Sequence, residues 1–273
     1  MMNILVTGGE GYIGSNLKDC FKREGWRFVS YDIVNLRDVR AKTVLEEYVR
    51  KADAVVHLAA ISGVEPCQRN PIVASDTMID GTYNVVELCK KYGIPVWFAS
   101  SFASVQPVTL YGVLKRAGEI LCESYANAYI LRIANVYGGK RYLELKNSVI
   151  AKWTKAIRRR EPITIYGNGE QKRDFIHVKD VCEGIIWHIK TWLRNPSGCP
   201  AYANLCTGKE TSINRLARLF QKYAPKRVKP VKIVYARPDL PAYSPPTLPP
   251  SYPKNYKFVS LEMGIKELLK GCV

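Results

Sequence analysis

A short apolar run, Ile4 to Val6, leads into glycines at positions 8, 9, 11 and 14, and a helical pattern begins directly after them. Few arrangements of backbone satisfy that string. The apolar run reads as a buried parallel strand. The first glycines permit backbone angles closed to other residues, and the last lets the following helix pack closely on the strand. The turn between them brings bare backbone to a helix N-terminus, where unpaired N–H groups and the helix dipole favour a pyrophosphate. A glycine pattern alone is common. Here it stands between a strand and a helix, as a dinucleotide site requires. A second strand, Trp26 to Tyr31, ends in Asp32, 18 residues beyond Gly14. A carboxylate at that distance accepts hydrogen bonds from an adenosine ribose and repels a 2′-phosphate, so NAD is expected in preference to NADP.

Strand and helix signals alternate through the first half. Strands are expected at 3–7, 26–31, 54–59, 95–100 and 128–133, and helices at about 11–24, 41–51, 72–92, 111–126, 147–160 and 179–194. The alternation implies an α/β fold, a doubly wound parallel sheet with helices on both faces. Beyond about residue 135 the pattern loosens, with short strands near 162–166 and 230–235 and helices at 211–223 and 260–270. Seven prolines between Arg237 and Pro253 mark a surface loop.

Chemistry in such a sheet collects after the carboxyl ends of the strands. The third strand passes through His57, read as a satisfied core histidine, into Leu58-Ala59-Ala60, whose small residues admit a flat cofactor. The fourth ends in the hydroxyl-rich Ser100-Ser101-Phe102-Ala103-Ser104. Tyr111 and Lys115 follow at the start of a helix and share one face. An ammonium near the phenol is expected to lower its pKa, so that Tyr111 removes a proton from a substrate hydroxyl.

From the glycine turn to Arg237-Pro238-Asp239-Leu240-Pro241-Ala242-Tyr243, the chain resembles the extended short-chain dehydrogenases/reductases, and most of all the UDP-glucose (UDP-galactose) 4-epimerases. The resemblance also rests on Gly81-Thr82-Tyr83-Asn84, on Leu131 to Gly138 and on Ile165 to Val181. It implies a Rossmann domain over 1–135, to which 174–206 return, and a shortened substrate domain over 136–173 and 207–273. Its cofactor-binding set is Gly8, Gly11, Tyr12, Ile13, Gly14, Asp32, Asp38 (toward the adenine), Leu58, Ala59, Ala60, Ser100, Tyr111 and Lys115. Asn135, Arg173, Arg237, Asp239 and Tyr243 would hold the substrate, with Arg173 on its diphosphate. The implied reaction is NAD-dependent epimerisation at C4 of UDP-glucose or UDP-galactose through a 4-keto sugar, with no metal. Tyr111 would act as base and then acid, and Lys115 would orient the ribose. The helices at 72–92 and 111–126 would form a homodimer.

Departures from the pattern leave alternatives open. Phe102 stands where the family places a serine or threonine, so Ser101 or Ser104 would have to supply that hydroxyl. Tyr111 follows Phe102 by only nine positions, and Met78 and Asp80 replace asparagines. An NAD-dependent reductase or dehydrogenase remains open. A 4,6-dehydratase is disfavoured by Ala103 and Ser104 where an Asp-Glu pair is needed. Lysine and arginine number 41 against 24 acids, a net charge of +17. A non-catalytic NAD-binding protein that binds RNA is therefore also open, but Arg158 to Arg160 and Pro225 to Lys232 read more simply as a helix end and a loop. No apolar stretch is long enough for a membrane span and no signal peptide is evident, so a cytoplasmic protein is expected. The eight scattered cysteines read as free thiols, with Cys199–Cys206 the pair to consider in a hyperthermophile.

Overall fold

The computed structural model describes residues 1–225, 232–236 and 244–270. Its strands are β1 (Asn3–Thr7), β2 (Arg27–Tyr31), β3 (Ala54–His57), β4 (Val96–Ser101), β5 (Ala128–Ile133), β6 (Asn135–Tyr137), β7 (Ile163–Tyr166), β8 (Lys172–His177), β9 (Tyr202–Leu205), β10 (Glu210–Ser212) and β11 (Ile233–Ala236). The helices are α1 (Tyr12–Arg23), α2 (Lys42–Val49), α3 (Val64–Arg69), α4 (Pro71–Ser75), α5 (Gly81–Tyr92), α6 (Leu110–Glu123), α7 (Val149–Arg159), α8 (Val178–Arg194), α9 (Ile213–Tyr223) and α10 (Leu261–Lys270).

The chain forms two compact units, residues 1–133 with 182–205 and residues 134–181 with 206–273. The first holds a six-stranded parallel sheet of order β2-β1-β3-β4-β5-β9. Its central strands are apolar on both faces, as helices on both sides require, and Ile4, Leu5, Val6, Val55 and Val56 are fully buried. The chain leaves β1 toward one edge and returns to β3 on the other side, so the order reverses at β1/β3. At such a reversal the ends of neighbouring strands diverge and open a crevice. The expected single helix over 72–92 is instead α4, one π-wound turn (Asp76–Asp80) and α5.

In the second unit β8 lies between β10 and β6, and β7 pairs with β11. Trp153 on α7 and Phe220 on α9 meet edge-on at 5.4 Å in its core, among Ile150, Ile163, Ile165 and Leu216. Ser148 and Ser212 cap α7 and α9, each accepting a hydrogen bond from an N–H of the first turn. The return to the first unit falls at 182 rather than 174. The physical reason is pairing: β8 bonds to β6 and β10, and the Asp180 carboxylate is fixed by Tyr256 (2.8 Å) and the Val259 N–H (3.0 Å). Cys199 and Cys206 are free thiols. Cys199 lies 3.4 Å from His188 Nδ1, and Cys206 donates to the Leu248 carbonyl at 3.3 Å.

Candidate active site

Gly8 has φ +68°, and a Cβ there would lie 2.7 Å from the Ala59 N. A Cβ on Gly14 would lie 2.4 Å from the Gly9 carbonyl oxygen. The turn, the start of α1 and the Leu58–Ala60 segment are thus packed backbone to backbone. Gly11 is the N-cap of α1 and brings no side chain to it, and the first turn, with Tyr12 and Ile13, holds no acid. Such a helix end offers N–H groups and positive potential to an anion. Asp32, buried at the end of β2, accepts hydrogen bonds from the N–H groups of Glu10 (3.0 Å) and Val34 (3.1 Å). Its carboxylate therefore sits against the glycine turn. Asp38 bonds Arg40 through both oxygens, and this guanidinium holds its carboxyl below the usual range. His57 is buried between Thr7 (2.6 Å) and Thr82 (3.0 Å), and burial pushes its pKa down to about 3. It is a neutral core residue.

At the end of β4 the hydroxyls divide. Ser100 and Ser104 are buried and donate to the same Glu119 oxygen, at 2.5 and 2.6 Å. Ser101, half-buried, accepts the Ala103 N–H at 3.3 Å. Phe102 is buried. The 102–104 turn packs so closely on the start of α6 that a Cβ on Gly112 would lie 2.5 Å from the Ala103 oxygen. Thr109 caps α6 at the Gly112 N–H, 3.2 Å. The short connection thus packs the 102–104 turn directly on the start of α6.

Tyr111, Lys115 and Glu119 follow one another at four-residue intervals along a single face of α6. Lys115 is buried, donates to the Ala99 carbonyl at 2.5 Å, and lies 5.0 Å over the Phe98 ring. Burial pushes its pKa down to about 8. Burial, the largest cause, raises the Tyr111 pKa, while the Ser101 and Ser62 hydroxyls act to lower it. The net direction is opposite to that expected from the sequence: the serines, not Lys115, are the groups that oppose burial. Ser62 and Glu119 escaped the sequence reading. An exposed serine in a loop carries no periodic signal, whereas Glu119 could have been found by extending the Tyr-x-x-x-Lys spacing by one more turn.

In the second unit, Asn135 and Arg173 line one pocket of about 260 Å³ with Tyr166, Gln171, Phe175 and Ile213. None of its lining residues is acidic. Asp174, beside Arg173 in sequence, is directed to the N–H groups of Thr207, Gly208 and Lys209. Arg237, Asp239 and Tyr243 lie outside the described residues, as does most of the basic run from Pro225 to Lys232. Among the described residues no cluster of three or more histidines, cysteines or acids could hold a metal ion, and no helix is long and apolar enough to cross a membrane.

A bare-backbone cradle at a helix N-terminus, with a carboxylate beside it, fits a dinucleotide, and the fold and this cradle define a dinucleotide-using enzyme. The chain belongs to the NAD dependent epimerase/dehydratase family, whose sequence profile matches residues 4–198. It is an epimerase-like enzyme and its cofactor is NAD. It is 31% identical to a putative UDP-glucose 4-epimerase of Methanocaldococcus jannaschii, over 78% of this chain and 79% of that one. It is 29% identical to a UDP-glucuronate 4-epimerase of Thermodesulfobacterium geofontis, over 86% and 85%. Among solved structures, the UDP-glucose 4-epimerase of Thermotoga maritima superposes with a TM-score of 0.84, covering 98% of both chains at 26% identity.

Proposed function

We propose that the protein interconverts UDP-glucose and UDP-galactose by epimerisation at C4, with Tyr111 as acid and base. The observation that carries this reading is the half-buried Tyr111 one helical turn from the buried Lys115 on the same face of α6. Gly8, Gly11, Tyr12, Ile13 and Gly14 would hold the NAD pyrophosphate, Asp32 its adenosine ribose, and Asp38 would lie toward its adenine. Leu58, Ala59, Ala60, Ser100 and Lys115 would line the rest. Bound NAD supplies a positively charged hydride acceptor. Tyr111 takes the proton of a sugar hydroxyl at its phenol oxygen and later returns it. Lys115 carries a charge up to about pH 8 and orients the ribose. Asn135 and Arg173 bind the nucleotide half; a planar guanidinium matches phosphate oxygens well. Arg237, Asp239 and Tyr243 are assigned to the substrate on the sequence alone.

Purified protein with NAD should convert UDP-galactose to UDP-glucose, followed by chromatography. Tyr111→Phe should reduce the rate by about 10²–10⁴-fold. A wild-type protein that binds NAD and converts neither sugar would refute this substrate, and UDP-glucuronate and UDP-N-acetylglucosamine would be tried next.

The reading includes a homodimer. Ile72, Tyr83, Val113 and Ile120 are 49–74% exposed on the helices expected to pair. Apolar side chains gathered on neighbouring helices mark an interaction face. Light scattering should give a dimer, and Val113→Glu with Ile120→Glu should give a monomer.

A further inference from the structure

We propose that Glu10, the acid inside the glycine turn, joins Asp32 as a second carboxylate that selects NAD over NADP by repelling the 2′-phosphate of the latter. The inference rests on the adenosine ribose lying at Asp32, as proposed above. A turn that receives a pyrophosphate is a costly place for an acid, because a fixed negative charge opposes the attraction of the helix N-terminus for an anion. Glu10 nonetheless stands there, half-buried between Gly9 and Gly11. Its side chain reaches toward the turn after β2, where Oε1 lies 3.5 Å from Asn35 Nδ2. The Asn35 N–H in turn donates to the Asp32 carbonyl at 2.9 Å. The Glu10 N–H donates to Asp32 Oδ2 at 3.0 Å. Main chain and side chain of Glu10 are thus both tied to the Asp32 turn.

The segment after β2 is itself fixed. The other Asp32 oxygen accepts the Val34 N–H at 3.1 Å, and the Asp32 carbonyl also accepts the Arg37 N–H at 3.0 Å. A site for NADP commonly places an arginine here to pair with the 2′-phosphate. Both arginines of this segment are engaged elsewhere. Arg37 donates to the Ser30 carbonyl at 2.8 Å, and its guanidinium lies 4.8 Å from the centre of the Tyr48 ring. Arg40 is bonded to both oxygens of Asp38. The charges gathered at the Asp32 turn are therefore two carboxylates, while the cations nearest in sequence are already paired.

NADP differs from NAD only by the 2′-phosphate, so the ratio of their affinities cancels whatever Glu10 does at the pyrophosphate. A variant that merely loosened the turn would weaken both nucleotides alike. The test displaces radiolabelled NAD from the purified protein with unlabelled NAD or NADP, and reads the ratio of the two displacement constants with no sugar present. Glu10→Gln keeps the length of the side chain and an acceptor for Asn35, and should lower the preference for NAD about tenfold at low ionic strength. Glu10→Lys should lower it further, and Asp32→Asn should lower it separately. In about 1 M salt, where charges are screened beyond about 3 Å, wild type and Glu10→Gln should converge. An unchanged ratio in Glu10→Gln, with a reduced one in Asp32→Asn, overturns the role of Glu10 and leaves the ribose at Asp32. A ratio unchanged in both overturns the placement of the ribose and the role of Glu10 with it.

Discussion

Two buried charges lie four residues apart on one face of α6, and the protein treats them in opposite ways. Glu119 is fully buried yet accepts hydrogen bonds from Ser100, Ser104, Arg116 and both ends of the Arg132 fork, at 2.5–2.9 Å. These bonds outweigh the cost of burial and hold its pKa at about 2. Lys115 is buried almost as deeply, is directed to the single carbonyl of Ala99, and has a pKa pushed down to about 8. A charge surrounded by partners stabilises the fold. A charge kept in apolar surroundings costs stability and is found where chemistry needs it. On the function proposed above, the difference separates structural from functional ionisation within one helix.

The comparison can be broken by removing each charge in turn. Glu119→Ala leaves two guanidinium groups and two hydroxyls without their shared acceptor, and should destabilise by about 3–5 kcal/mol in urea unfolding. A loss below about 1 kcal/mol would show that the network adds little beyond solvated pairs. Lys115→Met, which exchanges the ammonium for an apolar chain of similar length, should leave stability near pH 7 unchanged or raise it, by up to about 3 kcal/mol. If it destabilises as strongly as Glu119→Ala, the two charges are equivalent and the distinction fails.

The pH dependence sharpens the same contrast. Glu119 has a folded pKa of about 2 against an ordinary 4.5, so its contribution is complete above pH 4.5 and is lost as pH falls toward 2. Lys115 titrates at about 8 when folded and at 10.5 when unfolded. The unfolded chain holds the extra proton across that window, so stability should rise with pH between about 8 and 10.5. That rise should be absent in Lys115→Met, measured by urea midpoints at each pH.

The parts of the molecule that could be read from sequence are those with local causes. The strand–glycine–helix turn, Asp32 and the Tyr111/Lys115 pair each lie within one or two adjacent elements. β8 was not read as a strand because Lys172-Arg173-Asp174 breaks the apolar alternation, and its partners β6 and β10 lie 35 or more residues away. The π-wound turn at Asp76–Asp80 is invisible to a 3.6-residue period, which runs through it unbroken. Ser101 and Ser104 looked equivalent as candidate hydroxyls. Their difference is set by Glu119, fifteen residues beyond Ser104, which takes the Ser104 hydroxyl, whereas Ser101 accepts the Ala103 N–H.

The parallel pairing of β5 with β9 joins Ile130 to Tyr202 and Ile133 to Leu205. During synthesis the first five strands of the sheet leave the ribosome well before the sixth exists. Until residue 205 has emerged, the outer edge of β5 carries unpaired backbone groups and can recruit a strand from another chain. The residues proposed to hold NAD end at Lys115, far upstream of that edge. A nascent chain stalled before β9 can therefore carry every residue proposed to hold NAD and still depend on chaperones for its solubility.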